Sequence, residues 1–136
     1  MTYLYRGKRC DNEQWVYGWL IISSLVCGSM AVIRVPSDGH ESTDVDHRVY
    51  WPSVGKLLDM NDSKGTPVYQ GDILLVKGNP KHIREEYLNQ KYVIEWDDAS
   101  LRWFAKPLNH VCYSFDLAFV SLYAEVIGSI HDKNHT

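Results

Sequence analysis

An aspartate stands directly in front of a run of large apolar side chains in GTPVYQGDILLV, residues 65–76. Asp72 is either a reagent or a fastening. As a general acid or base it needs a second titrating group placed to shift its pKa, and Ile73, Leu74, Leu75 and Val76 offer none. As a fastening it needs only backbone N–H groups at a bend, and Gly71 beside it suits the left-handed conformation that such a bend uses. The residue types therefore place Gly71 and Asp72 in a structural turn that launches the next strand.

A second constellation lies in DGHESTDVDHR, residues 38–48, which gathers His40, Glu41, Asp44, Asp46 and His47. These are ligand types for divalent cations, and a metal-dependent hydrolase or nuclease would draw on them. Their spacing matches neither H-E-x-x-H nor an acidic loop with a trailing glutamate, so the expectation is a solvated loop and no metal is assigned. His131, Asp132 and His135 are close only in sequence, where a frayed terminus is expected. No nucleophile elbow, phosphate-binding loop or dinucleotide fingerprint is present, so no catalytic residue and no cofactor is assigned.

The aromatic content is the stronger signal. Five Trp and nine Tyr exceed what a core of this size requires. Trp51, Trp96 and Trp103 are candidates to line a groove that stacks bases or peptide side chains, and His40 and His47 of the loop are further candidate binding residues. Core packing is the competing use of each ring.

Charge and cysteine usage narrow the class. A formal net charge of -3 supplies no broad positive field, which makes nucleic acid the less favoured partner. Arg6, Lys8 and Arg9 read as a solvated strand end. Cys10, Cys27 and Cys112 are separated and odd in number, which indicates reduced thiols, and the absence of a leader pattern gives the expectation of a cytoplasmic protein. The apolar stretch GWLIISSLVCGSMAVIRV, residues 18–35, is broken by small and polar residues and by Arg34, so two strands with a turn at Leu25 to Ser29 fit it better than a membrane helix.

Strands have to position all of these groups. Short segments rich in Tyr, Trp, Val and Ile recur between turn residues, the pattern of an all-β chain. Trp15, Tyr17 and Trp19 share one face of their strand and Val16, Gly18 and Leu20 the other, and because both are apolar the strand is expected to be covered on both sides. KYVIEWDD and RWFAKP form a hairpin that brings Trp96 near Trp103. AEVIGSIHD closes the sheet with an irregularity at Gly128. A helix of two to three turns, or a long hairpin tip, is expected in NPKHIREEYLNQ. The sum is a single mainly β domain, 1–136, with at most one short helix: an N-terminal β-meander and loop over 1–50, and a partly open small barrel over 51–136.

Four blocks in order, YRGKRCDNEQWVYGWLI, VGKLLDMNDSKGTPVYQGDILLV, VIEWDDASLRWF and AEVIGSIHDK, resemble the signature segments of the YopX family, from Tyr3 to Lys133. The resemblance implies an SH3-like barrel in which the Gly71-Asp72 step starts a barrel strand. It also implies a small protein encoded mainly by phages and prophages, acting in a bacterial host cell, and it carries no activity with it. The long loop between Pro36 and Val49 and the insert from Asn79 to Gln90 depart from the family pattern. Three functions follow as expectations: a non-enzymatic accessory protein that binds a host or phage protein or other macromolecule; an oligomer that sequesters a small signalling nucleotide; and the metal-dependent hydrolase or nuclease above. The apolar edge WLII makes a homo-oligomer the expected assembly.

Overall fold

The computed structural model describes residues 3–25, 28–36, 44–78, 81–108 and 116–132. The chain divides into two compact units, Met1–Leu57 and Leu58–Thr136.

In the first unit, β1 (Tyr5–Lys8), β2 (Trp15–Leu25), β3 (Gly28–Val35) and β4 (Val45–Arg48) pair antiparallel, and the start of β5 (Gly55–Asn61) pairs with β1, in the order β4-β3-β2-β1-β5. The expected hairpin is the β2–β3 pair, whose register runs from Trp19 opposite Arg34 to Leu25 opposite Gly28. Its connecting residues, 26–27, lie outside the described ones. Among the described residues no helix is long and apolar enough to cross a membrane. A single bridge between Arg9 and Val49 brings the end of β4 back beside the end of β1. Period-two alternation puts Tyr5, Val16, Leu20, Ala31, Ile33 and Val35 on one face, where they pack with Val49 and Val54 as the core of the unit. The residues between them point the other way.

That second face corrects the expectation that β2 is covered on both sides. Trp19 is 57% exposed and Tyr17 is exposed beside it. The sequence cannot separate a strand buried on both faces from one whose second apolar face is left open, because both read as a continuous apolar run.

The second unit holds the rest of β5, then β6 (Pro67–Tyr69), β7 (Asp72–Val76), β8 (Lys91–Asp97), β9 (Arg102–Pro107), a 3-10 turn at Leu117–Phe119, α1 (Val120–Tyr123) and β10 (Ala124–Ser129). β6 pairs with β5, and a four-stranded antiparallel sheet runs β10-β7-β8-β9. The fold is mainly β with one short helix, as expected. The four-stranded sheet is not closed into a barrel: β9 and β10 are its two outer strands and do not pair with each other. Its core is Val68, Leu74, Val76, Tyr92, Ile94 and Ala105, with Leu58, Val120 and Ala124 packed against them. Burial pushes the Tyr92 hydroxyl up to about 12. The register of β10 against β7 shifts between Val126 and Gly128, the irregularity foreseen at that glycine.

The insert departs from the helical expectation. Residues 81–89 form successive turns closed by i to i+3 bonds, Tyr87 N–H to the Arg84 carbonyl (3.0 Å), Leu88 to Glu85 (3.2 Å) and Gln90 to Tyr87 (3.2 Å), and Asn89 takes a left-handed φ of 61° that stops helical propagation. Ile83, Tyr87 and Leu88 pack on the core and fix the turns. The helix that does form, α1, is only four residues long, too short for a periodic signal.

In the loop between β8 and β9, Leu101 has φ 53° and is 74% exposed. A left-handed leucine with no burial to offset its strain is costly. Leu101→Gly is expected to stabilise the protein by about 0.5–1 kcal/mol, read as a rise in melting temperature. A fall would show that leucine at this position does something for the fold that its exposure conceals.

Candidate functional site

Four aspartates are engaged as fastenings, Asp62, Asp72, Asp97 and Asp132. Asp72 is 1% exposed, and its Oδ2 accepts the Tyr69 N–H at 2.7 Å across the bend made by Gly71, whose φ is 89°. Asp62 is also buried. Its Oδ1 accepts from the N–H groups of Lys64 (2.9 Å) and Thr66 (2.8 Å), and its Oδ2 from Val126 (2.8 Å). Asp97 holds the β8–β9 turn through Ala99 N–H and the Ser100 hydroxyl, bonds that keep its carboxyl below the ordinary range, the hydroxyl contributing most. Asp132 Oδ2 accepts from Ser129 N–H at 2.8 Å. These carboxylates face backbone donors at turns, the arrangement that satisfies amide groups where a ladder begins or ends.

Of the candidate ligands of the long loop, only Asp44, Asp46 and His47 are among the described residues. Residues 37–43, with His40 and Glu41, lie outside the described residues. His47 sits on β4. Asp46 is held by Arg34 through a two-pronged ion pair (Nε to Oδ1 2.7 Å, Nη2 to Oδ2 3.1 Å), which lowers the carboxyl pKa and raises that of the guanidinium. Among the described residues no group of three His, Cys, Asp or Glu side chains is placed to hold a metal ion.

Of the candidate tryptophans, Trp96 and Trp103 meet edge to face across the β8–β9 hairpin, with centroids 5.2 Å apart and planes at 70°. Trp96 is partly exposed and donates its indole N–H to Asp98 (2.8 Å), while Trp103 packs on the core. Trp51 belongs to the first unit, exposed in a 3-10 turn at Trp51–Ser53 whose Ser53 hydroxyl donates to the Tyr50 carbonyl (2.6 Å) and accepts the Lys8 N–H (2.8 Å).

The sequence did not single out the open face of the first unit as a site. Register places Arg6 opposite Tyr17, Lys8 opposite Trp15, Arg34 opposite Trp19, and Asp46 and Arg48 beyond them on β4. Among the described residues, four cations therefore share one sheet face with Trp15, Tyr17 and Trp19 and with the carboxylate of Asp46, Asp44 also acting on Arg34, on a chain whose net charge is -3. The Arg6 guanidinium lies 4.5 Å from the Trp15 ring centroid and the Lys8 ammonium 5.5 Å. Arg6 is only 6% exposed, which corrects the reading of this segment as a solvated strand end. The alternation Arg6-x-Lys8 and Trp15-x-Tyr17-x-Trp19 was the available signal, and only pairing of the two strands turns it into a surface.

The second unit carries a cleft of about 450 Å³ between the turns of the insert and the segment before β10, lined by His82, Arg84, Tyr87, Asp116, Phe119 and Tyr123. Asp116 Oδ1 accepts the Ala118 N–H at 2.9 Å, which orients that carboxylate. The rings of Phe119 and Tyr123 stand 6.1 Å apart at 47°.

Two open antiparallel sheets, fastened at their turns by aspartates and linked in sequence through β5, define a small mainly β protein with a cationic, aromatic sheet face. The chain belongs to the YopX family: the family described as YopX protein matches residues 4–135, nearly its full length. No curated protein and no solved structure matches it.

Proposed function

We propose that the chain is a non-enzymatic binding protein of a phage or prophage, acting in the cytoplasm of its bacterial host, that docks an acidic surface of another protein on the open face of its first unit. The observation that carries this reading is the exposure of Trp19 and Tyr17 on a sheet face that also bears Arg34, Lys8 and Arg48. Trp, Tyr and Arg are the side chains that concentrate interface energy, because they bury much area with few rotors and still carry a polar handle. Steering by a local positive field adds on-rate with an acidic partner. The turn aspartates support the same reading, since they are committed to backbone amides.

The experiment is copurification from the bacterial host with wild type and with the double variant Tyr17→Ser, Trp19→Ser, followed by native mass spectrometry. A stoichiometric acidic protein on the wild type, lost from a variant that melts at the same temperature, is expected. Recovery of the same partner by both proteins, or of single-stranded nucleic acid instead of protein, would remove this reading.

A further inference from the structure

The cleft of the second unit calls for a ligand of a different kind, and its lining specifies which. Three rings contribute to its wall: Tyr87 from the turns of the insert, and Phe119 and Tyr123 from the 3-10 turn and helix that precede β10. Phe119 and Tyr123 are tilted against each other at 47° and do not stack flat on one another. Such surfaces accept a planar heterocycle with little regard to its identity. Two cationic or protonatable groups, Arg84 and His82, belong to the same lining. Among the described residues no hydrogen bond or ion pair engages either side chain, whereas Arg34 and Lys77 are each paired with a carboxylate. An unengaged guanidinium offers the fork of donors that matches a phosphate. The lining also holds one acceptor of fixed direction, Asp116, whose Oδ1 is oriented by Ala118 N–H. A cation to hold an anion, rings to hold a plane and an acceptor for an N–H donor are together the complement of a phosphorylated nucleoside whose base carries an exocyclic amine. The volume of about 450 Å³ lies in the range of small-molecule sites.

We propose that this cleft binds a nucleoside monophosphate, with the base against Phe119 and Tyr123, its amino group toward Asp116, and the phosphate on Arg84 and His82. Neither the rings nor the cation suffices alone. Inorganic phosphate would find only Arg84 and His82, and an unphosphorylated nucleoside would find only the rings and Asp116. The proposal is independent of the protein-docking face, which belongs to the other unit.

Calorimetric titration of the full chain with adenosine, guanosine and cytidine monophosphates tests it, with uridine monophosphate, adenosine and inorganic phosphate as comparisons. At least one amino-bearing nucleotide is expected to bind with Kd below about 1 mM and at least about tenfold more tightly than adenosine or phosphate. Arg84→Ala and Phe119→Ala are each expected to weaken it by about tenfold or more. Asp116→Asn is expected to narrow the preference over uridine monophosphate. Arg84 and Phe119 are exposed side chains, so both variants should melt with the wild type, and the Tyr17→Ser, Trp19→Ser variant should bind nucleotide unchanged. Absence of binding by all three nucleotides, phosphate binding as tightly as they do, or affinity indifferent to both Arg84→Ala and Phe119→Ala would overturn the assignment.

Discussion

Gly18→Ala is expected to be the most damaging single substitution in the first unit. A Cβ built on Gly18 would run into the Arg34 carbonyl oxygen and lie 2.9 Å from its carbon. Both are backbone atoms of the strand paired to β2, so no side chain can rotate away to make room. Relief requires β3 to move off β2, which breaks the ladder from Trp19–Arg34 onward and disturbs the core around Ile33. Overpacking of a well-filled core costs roughly 1–3 kcal/mol and more when the obstacle is backbone, so a loss of about 3 kcal/mol or greater is expected. The measurement is the urea midpoint. The variant should also lose the proposed partner even at temperatures where it stays folded, because Arg34 and Trp19 are register neighbours and shift together. A midpoint within error of wild type would mean that the two strands do not approach so closely.

Asp72→Ala should rank next. The substitution removes the acceptor of the Tyr69 N–H inside a buried bend, and a buried donor left unsatisfied costs about 1–3 kcal/mol. The bend is tied on two further sides, since the Gly71 N–H donates to the Ile94 carbonyl (2.9 Å) and the Gly71 carbonyl accepts from Ile130 N–H (3.0 Å). Loosening it therefore disturbs β8 and the end of β10 together. A loss of about 2–3 kcal/mol, seen as a melting temperature lower by roughly 7–10 °C, is expected. Asp72→Asn keeps an acceptor oxygen and should lose less. Indifference of the melting temperature to Asp72→Ala would contradict the role of this carboxylate as a fastening and reopen the question of chemistry at that position.

Much of the architecture was legible because its determinants are local. The β2–β3 and β8–β9 hairpins follow from alternating Trp, Tyr, Val and Ile interrupted by turn residues, and the contact of Trp96 with Trp103 follows from their hairpin. The turn role of Gly71 and Asp72 was readable from a glycine and a short acid set before an apolar run. What failed depended on distant partners. Nothing around Arg6 reveals that Trp15 lies over its guanidinium, and a strand apolar on both faces does not say which face stays open. The cleft joins His82 and Arg84 to Asp116 and Phe119, segments separated by a whole hairpin, so no spacing rule connects them. Trp51, Trp96 and Trp103 were singled out by residue type alone, and type is silent on the distribution of Trp51 to one unit and the other two to the second.

The triple engagement of Asp62 has a consequence for the order in which the protein assembles. Two of its bonds are local, but the third comes from Val126, 64 residues later, on the strand that also completes the edge beside β7. The first unit finds its strand pairs within residues up to Leu57, so it can form on the ribosome while the remainder is still being translated. The second completes the cover of Leu74 and Val76 only when the closing strand emerges beside β7. That interval is when the nascent chain is most open to aggregation and to capture by chaperones.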